Sequence, residues 1–143
     1  MSSLPTEILD DLVETLRGTG LFRAVSLEDD ASGEVPRAVV SLDGYEFLTP
    51  DDSAGKAWGR LSASVSVRTR GLSAAETVKR AGDLCDLAMA ALAQDAFRGG
   101  LCGDLPIGKA TELGRARPIA GLRRPEAGMV FDVRCHFEAE AGA

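Results

Sequence analysis

The sequence predicts an α+β fold in which a mainly antiparallel sheet is covered on one face by an N-terminal helix and a long central helix. Three observations favour this fold. The elements run from a helix through several strands to a second helix and then to further strands. Two strand segments alternate apolar and polar side chains, as in a sheet with one buried and one solvated face. Both helical segments carry one apolar face, which packs on such a sheet.

The first helix is predicted from about Thr6 to Arg17. Its apolar residues recur at the spacing of one helix face, and its acidic residues fall on the other face. The segment Gly18–Gly20 ends this helix, because glycine is a poor helix former. The stretch Leu21–Leu27 then alternates like a short strand.

A β-hairpin is predicted between residues 38 and 48. The run Ala38–Leu42 has the composition of a strand, and Tyr45–Leu48 has the composition of its returning partner. The intervening Asp43 and Gly44 favour the left-handed conformations of a tight hairpin turn. These two strands are expected to pair with each other.

A long strand and a long helix follow. The strand Trp58–Arg70 has apolar side chains on one face and serines and arginines on the other. Ser73 and Glu76 have the spacing of a capping box, which begins a helix that runs to about Phe97. The apolar stripe of this helix consists of Val78, Ala81, Leu84, Cys85, Ala88, Met89 and Leu92.

The C-terminal part of the chain is less regular. A strand is predicted near Ile107–Leu113, within a stretch rich in proline and glycine. A final strand, Met129–Glu138, alternates clearly, with Cys135 facing inward and His136 facing solvent. At roughly 100–200 residues per domain, residues 1–143 are expected to form a single domain, with residues 140–143 as a frayed tail.

The composition excludes several classes of protein. The chain has 143 residues, of which 16 are Lys or Arg and 22 are Asp or Glu, giving a net charge of −6. A surface of this sign repels nucleic acid and anionic membranes unless basic residues are segregated. Three cysteines without CxxC spacing predict neither a disulfide framework nor a zinc site. Without a signal-peptide pattern or an apolar run of about 18 residues, we expect a cytoplasmic protein.

No motif predicts a catalytic residue, a cofactor or a metal. The segment Gly103–Ala110 matches the spacing of a phosphate-binding loop except at Ala110, where a serine or threonine would hold magnesium. Its context favours a turn-rich connection instead. His136 is the only histidine, and its side chain is expected on the opposite strand face from Cys135. Cys102 contacts His136 only if the fold brings the two residues together. The clustered carboxylates are expected to be solvated, and a divalent ion that they hold loosely between subunits is the alternative.

Charge is distributed unevenly along the chain. Residues 1–53 hold twelve acids and three bases, and residues 109–134 hold six bases and three acids. If these regions lie on opposite flanks, the acidic flank of one copy can meet the basic flank of the next, although the imbalance is equally compatible with no interface. The acidic loop at 28–34, a projecting polar loop at 49–56 and a set of arginines supply the candidate contact residues. These are Glu28, Asp29, Asp30, Glu34, Asp51, Asp52, Lys56, Arg115, Arg117, Arg123 and Arg124.

The order of elements resembles the tail terminator (tail completion) proteins of long-tailed bacteriophages and their relatives in prophages and gene transfer agents. The resemblance consists of the N-terminal amphipathic helix, the strand pair with its projecting loop, the serine- and arginine-faced strand, the capped alanine-rich helix and the closing strand Met129–Phe137. It covers the chain from about Pro5 to Glu140 in length and element order. The family has no short motif, so no functional residue is carried over.

The resemblance implies a virion protein that is made in the host cytoplasm and is not an enzyme. It implies a homohexameric ring that caps the tail tube, ends tube polymerisation and presents a surface to a head-completion or neck protein. DNA would pass through the lumen without specific binding, and an acidic wall would keep it from adhering. The alternatives are a head–tail connector or head-completion protein, a small enzyme that uses Lys109 or Cys102, and a monomeric module that extends its sheet with a partner's strand.

Overall fold

The computed structural model describes residues 3–28, 33–48, 56–123 and 125–140, and at Lys56 and Glu140 it describes the backbone only. Within these ranges the chain is an α+β structure with two α-helices and a mixed six-stranded sheet. The helices are α1 (Leu4–Gly18) and α2 (Ala74–Gln94). The strands are β1 (Ala24–Leu27), β2 (Arg37–Leu48), β3 (Lys56–Arg70), β4 (Thr111–Leu113), β5 (Arg117–Pro118) and β6 (Glu126–Glu140).

The sheet has the strand order β1-β2-β3-β6-β4, and β5 also pairs with β6. β1 runs parallel to β2, and the other pairs are antiparallel. The longest ladder joins β3 and β6, from Lys56 opposite Glu140 to Arg70 opposite Glu126. β1 and β2, which precede β3 in the chain, form one side of the sheet, and β4, β5 and β6, which follow α2, form the other. The N- and C-terminal strands of the chain therefore lie at opposite edges of the sheet.

A serine caps each helix: Ser73 is the predicted cap of α2, whereas Ser3 places the start of α1 at Leu4 and not at about Thr6. The Ser3 side chain accepts a hydrogen bond from the backbone N–H of Thr6, and the Ser73 side chain accepts one from the backbone N–H of Glu76. α2 ends at Gln94 rather than near Phe97, and a 3₁₀ turn at Arg98–Gly100 follows it. The prediction that α2 extends to Phe97 is therefore wrong by less than one turn.

The arginine at this turn links the two helices. The Arg98 side chain is fully buried and donates hydrogen bonds to the carbonyls of Leu92 and Asp95, which close the C-terminal end of α2. Another of its nitrogens lies 3.4 Å from the Asp11 carboxylate on α1. Arg98 thus satisfies the last carbonyls of α2 and ties this end of α2 to α1.

The predicted hairpin between residues 38 and 48 is wrong. These residues form one continuous strand, β2, which pairs with β3 along its whole length. Leu42 lies opposite Ala63 and Gly44 lies opposite Ser62, so Asp43 is an extra residue that forms a bulge. Since β3 offers a partner to both halves of the segment, the chain absorbs Asp43 in the bulge and does not reverse direction.

The core joins both helices to alternate residues of the long strands. On β3 the residues that the sequence assigns to the apolar face, from Leu61 to Thr69, are buried, which confirms the alternation. One hydrophobic cluster contains buried residues of α1, α2, β1, β2, β3 and β6. Val78, which was assigned to the apolar stripe of α2, is instead 58% exposed. It lies on the flank of the helix beside a surface groove.

The strand boundaries differ from the predictions in four places. β1 begins at Ala24, and only Thr111–Leu113 is a strand within the stretch predicted near Ile107–Leu113. β6 extends beyond Met129–Glu138 at both ends, and it includes Glu140, which was assigned to the tail. Lys56 belongs to β3 and not to a loop. Residues 141–143 lie outside the described residues. In the parts of the chain that are described, neither helix has the length and apolar character needed to span a bilayer.

Candidate functional site

The second half of β2 presents an unusual group of exposed apolar side chains. β1 pairs only with residues 37–40, so among the described residues Ser41–Leu48 has a neighbouring strand on one side only. Tyr45 is 55% exposed and Phe47 is 51% exposed, and Leu42 and Leu48 are also exposed. Clustered apolar side chains beside an open sheet edge are typical of a surface that contacts another molecule.

The two aromatic residues, here called the aromatic knob (Tyr45 and Phe47), are anchored to the core. The Tyr45 and Phe47 rings meet edge to face with centroids 6.0 Å apart, and Phe47 meets the buried Phe137 ring at 5.8 Å. Gly59 lies between Phe47 and Phe137 in the sheet register. A Cβ atom at Gly59 would lie 2.2 Å from the Phe137 ring, so only glycine lets the ring lie across this strand. The knob is therefore held in place by core contacts.

An apolar groove lies at the opposite edge of the sheet. It is enclosed by the first turns of α2 and by the segment from β5 into β6, and it has a cavity volume of about 250 Å³. Its apolar side chains include Val78, Ile119, Leu122 and Met129. Gly128 forms part of the lining, and a Cβ atom there would lie 2.8 Å from both Ile119 Cδ1 and the Val67 carbonyl oxygen. The groove thus depends on glycine at position 128, where any side chain would overlap Ile119 and the Val67 carbonyl.

The structure places the described acidic and basic candidate residues at different edges of the sheet. Glu28 follows β1 and Glu34 precedes β2, whereas Arg115, Arg117 and Arg123 lie in or beside β5. Glu28 also has a structural role, because its carboxylate accepts a hydrogen bond from the backbone N–H of Leu42 at 3.0 Å. The remaining candidates lie outside the described residues, and these are Asp29, Asp30, Asp51, Asp52, Arg124 and the side chain of Lys56.

Carboxylates also gather on the face of the sheet that carries the serines. A cavity of about 440 Å³ there is lined by residues that include Asp43, Glu112, Asp132 and Arg134. Burial raises the pKa of Asp43 above its ordinary value, the Asp132 and Glu28 carboxylates raise it further, and Arg117 lowers it. Within the described ranges, no group of three or more His, Cys, Asp or Glu side chains is arranged to hold a metal ion. The carboxylates make the lining of this cavity acidic. Arg117 neutralises part of this charge, because it pairs with Asp132 at 3.3 Å.

The prediction that His136 faces solvent is wrong, because its side chain is completely buried. The segment that precedes β4 passes over this part of the sheet, and its Gly108 lies against the imidazole. A Cβ atom at Gly108 would lie 2.3 Å from His136 Cε1. Strand alternation correctly places His136 on the face opposite Cys135, but it carries no information about a connecting segment that covers that face.

Both nitrogens of His136 have partners. The Arg60 Nε–H donates to His136 Nε2 at 3.1 Å, and since arginine only donates, Nε2 carries a lone pair and no proton. The proton is therefore on Nδ1, which donates to the carbonyl of Lys109 at 2.6 Å. Arg60 also donates to the carbonyl of Ile107 at 3.3 Å and pairs with Glu46 at 3.0 Å. Arg60 thus fastens the covering segment to β2, β3 and β6.

We expect the substitution Arg60→Met to lower the free energy of unfolding by about 1–3 kcal/mol, because His136 Nε2 and the Ile107 carbonyl lose their donor. Chemical denaturation measures this change. The control is Arg70→Met on the same strand, which removes only a half-exposed ion pair with Glu126 and should cost at most about 1 kcal/mol. Equal losses for the two variants would contradict the assigned role of Arg60.

The segment Gly103–Ala110 is not shaped like a phosphate-binding loop. The Asp104 carboxylate accepts a hydrogen bond from the backbone N–H of Ala110 at 2.8 Å, and Leu105 and Gly108 pair with each other. The segment leads into strand β4 and not into a helix. An anion at this position would therefore meet a carboxylate, and no helix N-terminus would support it.

The three cysteines are buried and unpaired. Cys102 is buried in the hydrophobic core together with Cys135, whereas His136 follows Cys135 on β6 and lies on the opposite face of the strand. Interaction with the Cys135 thiol and burial both raise the pKa of Cys102 above its ordinary value. A thiol with a raised pKa is a poor nucleophile, so the Cys102–His136 pair considered from the sequence does not form a catalytic centre.

No known protein family matches the chain, and no curated protein matches it. The inferences about function therefore rest on the molecule itself. The two surface features that sequence reasoning missed are the aromatic knob and the apolar groove. The signal for the knob was present, because Tyr45 and Phe47 are large apolar residues in a segment with the acidic neighbours Asp43 and Glu46. The groove had no such signal, since residues that are distant in sequence form it.

Proposed function

We propose that this chain is a structural assembly subunit, a tail terminator of a long-tailed phage particle or of a related particle. In this proposal six copies form a ring that caps the tail tube, ends its polymerisation and offers a docking surface to a head-completion or neck protein. The observation that carries the proposal is the presence of two unlike surfaces, an exposed apolar end of β2 and an apolar groove, at opposite edges of one sheet.

Unlike surfaces at opposite edges favour a head-to-tail contact between copies. In a symmetric dimer each surface meets itself, whereas a contact between two different surfaces repeats until a ring closes. The exposed Glu34 before β2 and the exposed Arg115 and Arg123 beside β5 support the same arrangement, because in the proposal they attract each other between copies. Charge pairs of this kind set orientation and encounter rate more than affinity.

The positions of the side chains that could serve in catalysis support a structural role. His136 and the three cysteines are buried, whereas the Lys109 side chain is exposed. In the proposal the two helices cover one face of the sheet, and the segment before β4 covers the other face only around Arg60 and His136. The net charge of −6 would keep DNA from adhering to the lumen wall as it passes.

Light scattering tests the proposal by measuring the absolute mass of the purified chain across protein and salt concentrations, with and without tail-tube protein. We expect a ring mass, or a monomer that assembles at high concentration or on tube protein, and we expect high salt to weaken the assembly. A strict monomer in every condition would refute the ring. A ring that binds a head portal but not tube protein would indicate a head–tail connector instead.

A further inference from the structure

We propose that a cavity where β3 turns into α2 binds a small phosphate dianion, such as inorganic phosphate or a phosphate monoester. The cavity has a volume of about 560 Å³, and arginines from three parts of the chain line it. Arg23 precedes β1, Arg70 is the last residue of β3 and Arg80 lies on α2. Among the described residues, this arginine cavity shares no lining residue with the apolar groove, and the proposal does not depend on the ring.

The lining of the arginine cavity is basic although the chain as a whole is acidic. Three arginines and one glutamate, Glu76, give the described lining a net charge of +2, whereas the whole chain carries −6. Arg23 and Arg80 are exposed, and in the described part of the chain neither side chain has a carboxylate partner. The planar guanidinium group donates paired N–H bonds that match the oxygens of a phosphate. Two such arginines beside one cavity therefore favour an oxyanion as its ligand.

Contacts of the main chain hold the arginines around the cavity. The backbone N–H of Arg23 donates to the carbonyl of Pro36 at 2.8 Å, which fixes Arg23 beside the start of β2. At the other wall, Gly71 lets the end of β3 pass close to the first turns of α2, because a Cβ atom there would lie 2.7 Å from Thr77 Oγ1. The fold thus brings arginines from three separate elements to one cavity.

Further hydrogen-bond donors line the cavity. The Arg70 side chain is 51% exposed and pairs with Glu126 through one nitrogen at 2.9 Å, so other N–H groups of its guanidinium can donate to a ligand. Thr69 also lines the cavity, and its side chain is completely buried. Its hydroxyl has no hydrogen-bond partner among the described residues, which is rare for a buried hydroxyl. A ligand oxygen that reaches Thr69 would supply this partner.

The chemistry of the cavity favours a small phosphate over other anions. A phosphate monoester carries nearly two negative charges at neutral pH and several terminal oxygens, so it can accept hydrogen bonds from several sides at once. The net charge of −6 repels a polyanion such as DNA, whereas a small ion can enter a basic cavity. Leu72, immediately before the N-terminal cap of α2, also lines the cavity, so the positive end of the helix dipole lies beside the ligand.

Isothermal titration calorimetry with inorganic phosphate, at constant ionic strength in sodium chloride, tests the proposal. We expect saturable binding by the unmodified chain. Arg23→Met and Arg80→Met should each weaken this binding by at least about tenfold, because charged hydrogen bonds to the ion are lost. The matched control is Lys79→Met, which removes an exposed charge next to Arg80 but outside the described lining. This control should change the affinity by less than about twofold.

Glu76 gives a test of the opposite sign. It lines the cavity and its carboxylate repels an anion, so Glu76→Gln should tighten phosphate binding by about two- to fivefold. The control Asp83→Asn removes an exposed carboxylate of α2 that is outside the described lining, and it should leave the affinity unchanged. All these positions are exposed, so each chain should fold. Circular dichroism checks the folding, and Arg23→Gln or Arg80→Gln replaces a variant that unfolds.

Several outcomes would overturn the proposal. The first is the absence of saturable phosphate binding by the unmodified chain. Equal losses of affinity in Arg80→Met and Lys79→Met would show only a diffuse attraction to the surface. Unchanged or weaker binding by Glu76→Gln would place the ion outside the cavity. A short DNA duplex that binds through Arg23 and Arg80 when inorganic phosphate does not would assign the cavity to nucleic acid. Calorimetry measures phosphate binding and not assembly, so a failure of the ring would leave this proposal standing.

Discussion

The substitution Arg98→Met is expected to lower the free energy of unfolding by about 3–5 kcal/mol, which is a large part of the stability of an ordinary domain. The buried guanidinium satisfies the carbonyls of Leu92 and Asp95 and faces the Asp11 carboxylate. Methionine has a similar apolar stem but no donor, so these groups lose their partner. Urea denaturation measures the loss. Arg80→Met, an exposed change on α2, should shift the free energy of unfolding by no more than about 0.5 kcal/mol.

The pH dependence of the Arg98→Met variant gives a second readout. Burial raises the pKa of Asp11 above its ordinary value of 3.8, and the Arg98 guanidinium lowers it in part. Without Arg98 the pKa of Asp11 should rise further, so the folded variant binds a proton more tightly than the unfolded chain does. Stability contributed by that proton is present at acid pH and is lost as the pH rises through the folded pKa. The loss in free energy of unfolding caused by Arg98→Met should therefore be smaller at a pH below 3.8, the ordinary pKa of Asp11, than at pH 7. An equal loss at both pH values would contradict the role of Asp11.

The substitution Gly59→Ala is expected to cost about 1–3 kcal/mol, because the new methyl group would overlap the buried Phe137 ring. The ring must move, and its contact with Phe47 must change with it. We therefore expect a second effect, a loosened aromatic knob, which near-ultraviolet circular dichroism and the concentration dependence of assembly both measure. The two effects share one cause, so they should appear together.

The control for Gly59→Ala is the same substitution at Gly82. Gly82 lies within α2, and nothing lies within 4 Å of an added Cβ atom there. Alanine in a helix interior is favoured over glycine by about 0.5–1 kcal/mol, so Gly82→Ala should stabilise the chain. Opposite signs for the two changes support the close packing at Gly59. A stabilised Gly59→Ala variant would show that the position of the Phe137 side chain does not require a glycine at residue 59.

The regular elements could be predicted because each is specified by local pattern. The alternation of Trp58–Arg70 and the Ser73 cap of α2 are readable from a few neighbouring residues, and the structure confirms both. The β2 segment was misread for a reason that is also local. Its apolar residues change phase at Asp43, from Leu42 to Tyr45, and such a change is produced by a bulge as well as by a turn. The composition of Asp43 and Gly44 favoured the turn.

The surroundings of His136 and the apolar groove could not be predicted, because they depend on contacts between distant segments. His136 is buried by residues that lie about thirty positions earlier, including Gly108 and Lys109. The groove brings Val78 beside Ile119 and Leu122, which follow it by about forty residues. Strand periodicity reports which face a side chain occupies but not what covers that face. The charge asymmetry was visible in the sequence, and the strand order then placed the described charges at opposite edges.

The full-length pairing of β3 with β6 has a mechanical consequence. In the proposed ring, a pull between neighbouring copies enters at the knob, beside the first residues of β3, and leaves at the groove, beside the first residues of β6. Because the two strands are antiparallel, these points are at opposite ends of the ladder, and the pull acts in shear along the hydrogen bonds. A sheared ladder shares its load among all its bonds at once, whereas a ladder pulled open from one end breaks them in turn. The subunit would therefore be stiffest in the direction in which its neighbours strain it.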